Sequence, residues 1–116
     1  MIVENLTKTL LENGKKYTYN YRLVKEKALL PIEAPDSNNA IDTYGIAIEV
    51  EIYAEGRIEV LKNHVRDISS KQSKVHNLLN CLYEHTVSPV HLLEVVEDEL
   101  DKYIVDCNEE IYSAVN

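Results

Sequence analysis

Phenylalanine and tryptophan are absent from this 116-residue chain, and its aromatic content is eight tyrosines. Each tyrosine brings a hydroxyl that must reach water or a partner, so the expected core is mostly aliphatic with tyrosine at its rim. Glycine and proline are scarce, three of each, which argues against wholesale disorder. The two cysteines, Cys81 and Cys107, form no CxxC pair or other ligand spacing. Two free thiols in a reducing cytoplasm follow, and no metal site is expected. The opening Met1-Ile2-Val3-Glu4-Asn5 lacks a basic region followed by an apolar run, so no signal peptide is expected. No apolar stretch approaches membrane-spanning length.

What is present fits one domain. Hydrophobic residues make up 45% and charged residues 28%, the ordinary globular range. The net charge of −8 favours solubility and repels phosphate backbones and anionic lipid surfaces.

Periodicity orders the chain. Residues Ile2–Leu11 and Lys16–Glu26 read as a β-hairpin around Asn13-Gly14, since both turn residues tolerate positive φ. Tyr17, Tyr19, Tyr21 and Leu23 alternate with polar residues, the strand period. An N-terminal helix is the alternative for the first element. Residues Leu30–Asp42 hold two prolines and a polar cluster, and read as a long loop. Tyr44, Ile46, Ile48, Val50 and Ile52 then share one strand face, and Ala54-Glu55-Gly56 turns the chain into a fourth strand, Arg57–Leu61. Ser69 or Ser70 can cap the next helix, with Gln72 at capping-box spacing from Ser69. Val75, Leu78, Leu79 and Leu82 form its apolar stripe. Ser88-Pro89 opens a last helix, with serine as cap and proline at the first turn. Its stripe is Leu92, Val96, Leu100, Tyr103, Ile104, Cys107 and Ile111. The expectation is an α+β fold: a four-stranded antiparallel sheet, order β-β-β-β-α-α, with two C-terminal helices on one face. Residues 1–107 form the domain, and 108–116 a frayed tail.

Three segments resemble a known family. They are Tyr44-Gly45-Ile46, the helix Val75–Tyr83, and Ser88-Pro89-Val90-His91-Leu92 with Val and Glu-Asp following. Over roughly residues 44–104 the chain resembles an uncharacterised family, a domain of unknown function of small proteins from clostridia and related Gram-positive bacteria. The resemblance implies a cytoplasmic bacterial protein. It brings no activity, cofactor or site residue.

Glu94, Glu97, Asp98, Glu99 and Asp101 suggest a cation site, but no second acidic cluster converges on them, and a solvated helix face explains them. His64, His76, His85 and His91 show no ligand spacing, and neither cysteine has a histidine at a recognisable spacing for a Cys–His nucleophile. The Tyr17–Tyr19–Tyr21 stripe beside Lys15, Lys16, Arg22, Lys25 and Lys27 could stack nucleic-acid bases. The helix pair about Thr86-Val87 has the layout of helix-turn-helix, yet it would present Glu94, Glu97 and Asp98 to phosphates. Basic residues concentrate before residue 28 and acids after residue 93, an asymmetry that suits protein association.

The resulting expectation is a non-enzymatic interaction or regulatory protein in the cytoplasm. No catalytic, cofactor-binding or metal residue is nominated and no cofactor is expected. The expected partner is a protein, heterologous or a second copy in a homodimer. A nucleic-acid-associated regulator is the alternative, and no membrane is expected.

Overall fold

The computed structural model of the chain describes residues 1–29 and 40–99. Four strands, β1 (Ile2–Glu12), β2 (Lys15–Leu29), β3 (Ala40–Ala54) and β4 (Arg57–Ser69), form one antiparallel sheet in the order β1-β2-β3-β4. Helix α1 (Gln72–Glu84) follows, then a 3₁₀ turn (Pro89–His91) that runs directly into a second helix, α2, at residues 92–99. The expected α+β architecture is thus the observed one, and the first element is a strand rather than a helix.

Local chemistry explains the turns. Glu12 pairs with Lys15 across Asn13-Gly14, both at positive φ (52° and 76°). This is the two-residue connection whose twist matches the strands. Glu55-Gly56 closes the β3–β4 hairpin in the same way, with φ of 48° and 75°.

The strands are longer than the alternation marks. β2 runs on past Glu26 to Leu29 and β3 starts at Ala40, because the ladder continues through Lys27↔Asp42 to Leu29↔Ala40, helped by the Lys25–Asp42 ion pair at 3.5 Å. Residues 40–42 are therefore strand, not loop, and 30–39 lie outside the described residues. β4 continues past Leu61 to Ser69, because Asn63, His64 and Val65 pair with Ile48, Ala47 and Ile46. Alternation fails to show this because Lys62-Asn63-His64 puts polar residues on both faces and a bulge follows. Between the pairs Ile46↔Val65 and Tyr44↔Ser69, β3 contributes Gly45 alone while β4 contributes Arg66, Asp67 and Ile68. The bulge brings β4 so close to Gly45 that a Cβ there would sit 2.4 Å from the Val65 carbonyl oxygen. Asp67 adopts φ of 52° in it and accepts a hydrogen bond from the buried Thr43 hydroxyl at 2.5 Å.

The capping-box expectation is corrected. Lys71 is the cap of α1 and makes no side-chain cap bond. Ser69, still in the strand, accepts instead from the Lys71 amide at 3.0 Å. Ser88 does cap its helix start, accepting from the Val90 amide at 3.4 Å with proline following.

The core lies between the helices and one sheet face. Val75, Leu78, Leu79 and Leu82 of α1 and Leu92 and Val96 of α2 are buried against Tyr21, Leu23, Ile46 and Ile48. Burying each such aliphatic side chain contributes roughly 1.5–3 kcal/mol. The last-helix stripe from Leu100 onward, Asp101 and the 108–116 tail lie outside the described residues.

Candidate interaction surface

Because strand side chains alternate, the register separates two sheet faces. One carries Lys8, Tyr19, Tyr21, Ile48 and Val50 and receives the helices. The other carries Asn20, Arg22, Ala47, Glu49, Lys62 and His64. No helix of the described residues covers this second face. A groove of about 510 Å³ runs across it, floored by Gly45 and Ala47. Its charged walls are largely self-paired. Arg22 meets Glu49 at 3.5 Å, and Arg66 places both Nε, at 2.8 Å, and its terminal nitrogen on one Glu26 oxygen. The Glu26 carboxylate raises the Arg66 guanidinium further above its ordinary pKa. Lys62 and His64, on the same wall, have no ion-pair partner among the described residues.

Towards the hairpin tips of this same uncovered face, one row of paired residues, Leu11–Lys16–Tyr53–Ile58, crosses all four strands, and Val60 lies on the same face of β4. Leu11 is 82% exposed, Ile58 63% and Val60 51%. Lys16 lies 5.7 Å from the Tyr53 ring centroid, a cation–π approach that covers part of it. The Tyr53 hydroxyl donates to Glu51, which raises its pKa. On the opposite face of β4, Leu61 is also exposed. All of β4 from Arg57 to His64 is exposed, and the strand pairs with β3 alone. An edge strand directs every second residue's N–H and C=O to solvent. Open backbone and aliphatic side chains thus adjoin at this edge.

The residues singled out in the sequence are dispersed or tied up. Tyr17, Tyr19 and Tyr21 stack in succession, with centroids 6.4 and 6.0 Å apart, but on the helix-covered face. Tyr21 is fully buried and donates to the Val87 carbonyl at 3.0 Å, so it offers no platform for a base. Burial, followed by the neighbouring Tyr19 and Tyr83, pushes its hydroxyl well above the ordinary tyrosine pKa. His91 meets Glu94 at 3.6 Å on the surface. Glu97 and Asp98 are exposed on α2. Among the described residues, no group of three or more histidine, cysteine, aspartate or glutamate side chains converges as a metal site would require.

Three arrangements escaped sequence reasoning. His76 Nδ1 donates to Glu4 at 2.7 Å and its Nε2 accepts from Asn80 at 3.1 Å, joining α1 to β1. Lys8 donates to the Tyr83 carbonyl at 2.6 Å and to the Thr86 hydroxyl at 2.9 Å, with its ammonium 4.5 Å from the Tyr83 ring centroid. These pairs are more than seventy residues apart in sequence, so no spacing announces them. Cys81 Sγ lies 3.7 Å from His85 Nδ1, but that nitrogen donates to the Cys81 carbonyl at 2.9 Å. This helical i, i+4 neighbourhood was legible in principle, and its hydrogen bond serves the helix end rather than the thiol.

A family model described as "Family of unknown function (DUF6514)" matches residues 1–102. The chain belongs to this family. The match takes in β1, β2 and the basic hairpin, which the resemblance over 44–104 did not reach. No curated protein and no solved structure matches the chain. Membership of DUF6514 assigns no chemistry, so the surface itself carries any functional reading. No helix among the described residues is long and apolar enough to cross a membrane.

Proposed function

We propose that this chain is a non-enzymatic interaction module that associates with protein through the bare end of its sheet. One observation carries the reading: the row Leu11–Tyr53–Ile58 and the neighbouring Val60 stand in solvent beside an open β4 edge. Exposed apolar surface with a polar surround marks association sites; here Tyr53, Ile58 and Val60 adjoin, Lys16 stands between them and Leu11, and Glu51, Glu59 and Lys62 supply the surround. The best-placed reactive groups are engaged structurally, His76 with Glu4, His85 with a helix carbonyl and Lys8 with the end of α1. The free thiol of Cys81 fits a reducing cytoplasm, which we propose as its location.

The test is capture by immobilised full-length chain from native lysate, compared with a Leu11→Lys/Ile58→Lys variant. Both sites are exposed, so the variant keeps the parent's melting temperature. A partner held in stoichiometric amount by the parent and lost by the variant is the expected result. Equal capture by both proteins would overturn the assignment of this surface.

A further inference from the structure

We infer that residues 57–64 of β4 pair antiparallel with the same segment of a second copy across a two-fold axis, merging two sheets into one. The inference rests on the association reading above and commits it to one occupant. Three observations support it. First, β4 has one neighbour and every residue from Arg57 to His64 is exposed, so the ladder is free to extend as far as the His64 N–H, which donates to the Asn63 side chain at 2.9 Å. Second, the bulge at Arg66–Ile68 breaks regular pairing. The extendable stretch is thus bounded by that bulge and by the Glu55-Gly56 turn.

Third, the residues in this window are compatible with their own reversal. A two-fold between antiparallel strands places the same residue opposite itself and pairs the others about it. Each pair then shares a face, as the pleat requires. Centring on Glu59 or on Lys62 sets like charges face to face, which destabilises a cross-strand pair. Centring on Ile58 leaves only 57–59 paired before the turn, and centring on Asn63 runs the bulge into the partner. Two registers remain, centred on Val60 or on Leu61. In the first, Val60 meets Val60, and Ile58 lies opposite Lys62, whose alkyl stem can cover it. In the second, Leu61 meets Leu61, Val60 lies opposite Lys62 and Glu59 opposite Asn63. Both put an apolar pair on the axis and keep like charges apart. A symmetric contact of this kind closes on itself and yields a dimer, not a filament.

Edge pairing over so short a stretch falls below the roughly 1,600 Å² of a standard interface, so association is weak and concentration-dependent. Analytical ultracentrifugation of the full chain is expected to shift from one-copy mass at about 10 µM to two-copy mass near 1 mM, the range of small interfaces. Register is read by cysteine cross-linking in a Cys81→Ser/Cys107→Ser background. On-axis antiparallel residues have Cα atoms about 4.5–5.5 Å apart, within disulfide reach. Either Val60→Cys or Leu61→Cys is expected to give a disulfide-linked dimer under mild oxidation, while Thr9→Cys on β1 does not. One-copy mass at 1 mM with no cross-link at 60 or 61 overturns self-pairing, as does a cross-link at Thr9→Cys alone. If that negative result accompanies partner capture that Leu11→Lys/Ile58→Lys abolishes, the association reading stands and only the second copy is withdrawn.

Discussion

The two ends of the sheet follow the same strand pattern and meet opposite fates. At the end where β2 and β3 pass under the helices, Tyr21, Leu23, Ile46 and Ile48 are buried by α1 and α2. At the hairpin tips, Leu10 and Leu61 lie on the same face beyond the helices and are exposed, while Leu11, Ile58 and Val60 stand on the opposite face, which no described helix covers. Alternation sets which face a side chain occupies, but the reach of the helices sets whether that face is dry. A thirteen-residue α1 is about 20 Å long at 1.5 Å per residue, whereas a fifteen-residue strand extends about 50 Å at 3.3 Å per residue. The overhang is a consequence of that mismatch in rise.

Substituting a leucine of the covering helix and one on the bare overhang tests the contrast most strongly. Leu79→Ala removes a fully buried side chain and is expected to cost about 2–5 kcal/mol in denaturant unfolding, whereas Leu61→Ala, exposed on the overhang, stays within roughly 0.5 kcal/mol. Similar losses at both sites would mean that the tips are covered in solution. Next comes the bulge that separates the exposed stretch of β4 from its covered end. Gly45→Ala forces a Cβ against the Val65 carbonyl, where backbone must move, and is expected to cost about 1–3 kcal/mol. An unchanged denaturation midpoint would show that β4 is not held so close there. The smallest effect is in pH. Tyr21 has a folded-state pKa above its unfolded value of 10.0. Its contribution is therefore complete below about pH 10 and declines as the pH climbs from there towards the folded value. Thermal melts from pH 8 to 11 should fall more steeply for the parent than for Tyr21→Phe, and parallel curves would place the hydroxyl in water.

Much of this architecture could be read from residue order. The Asn13-Gly14 turn, the Ile46–Ile48–Val50 face and the Val75–Leu82 stripe each follow a local rule, and each stands where the rule puts it. The extent of β4 was not legible, because Lys62, Asn63 and His64 put polar residues on both faces and the bulge opposite Gly45 then shifts the alternation. The Ser69 cap was misread for a related reason: the residue is still paired to Tyr44, so its side chain serves the turn after the strand. The association surface was legible only as composition. Tyrosine-rich strands and opposite charges at the two ends suggest contact, but only the strand register and the one-sided helical cover show which aliphatic residues stay bare. The tyrosine stripe, the most conspicuous local pattern, belongs to the helix-covered face, with Tyr21 buried in the core.

The Lys8 ammonium, fastened to Tyr83 and Thr86, and Glu4, fastened to His76, have a consequence for biosynthesis. Of the four strands β1 leaves the ribosome first, yet the groups that anchor it lie in and after α1 and emerge once all four strands are made. A nascent chain carrying β1 through β4 can close its ladder, but it lacks the helix that clamps the first strand's side chains. Assembly of this fold therefore finishes at the earliest made of its strands.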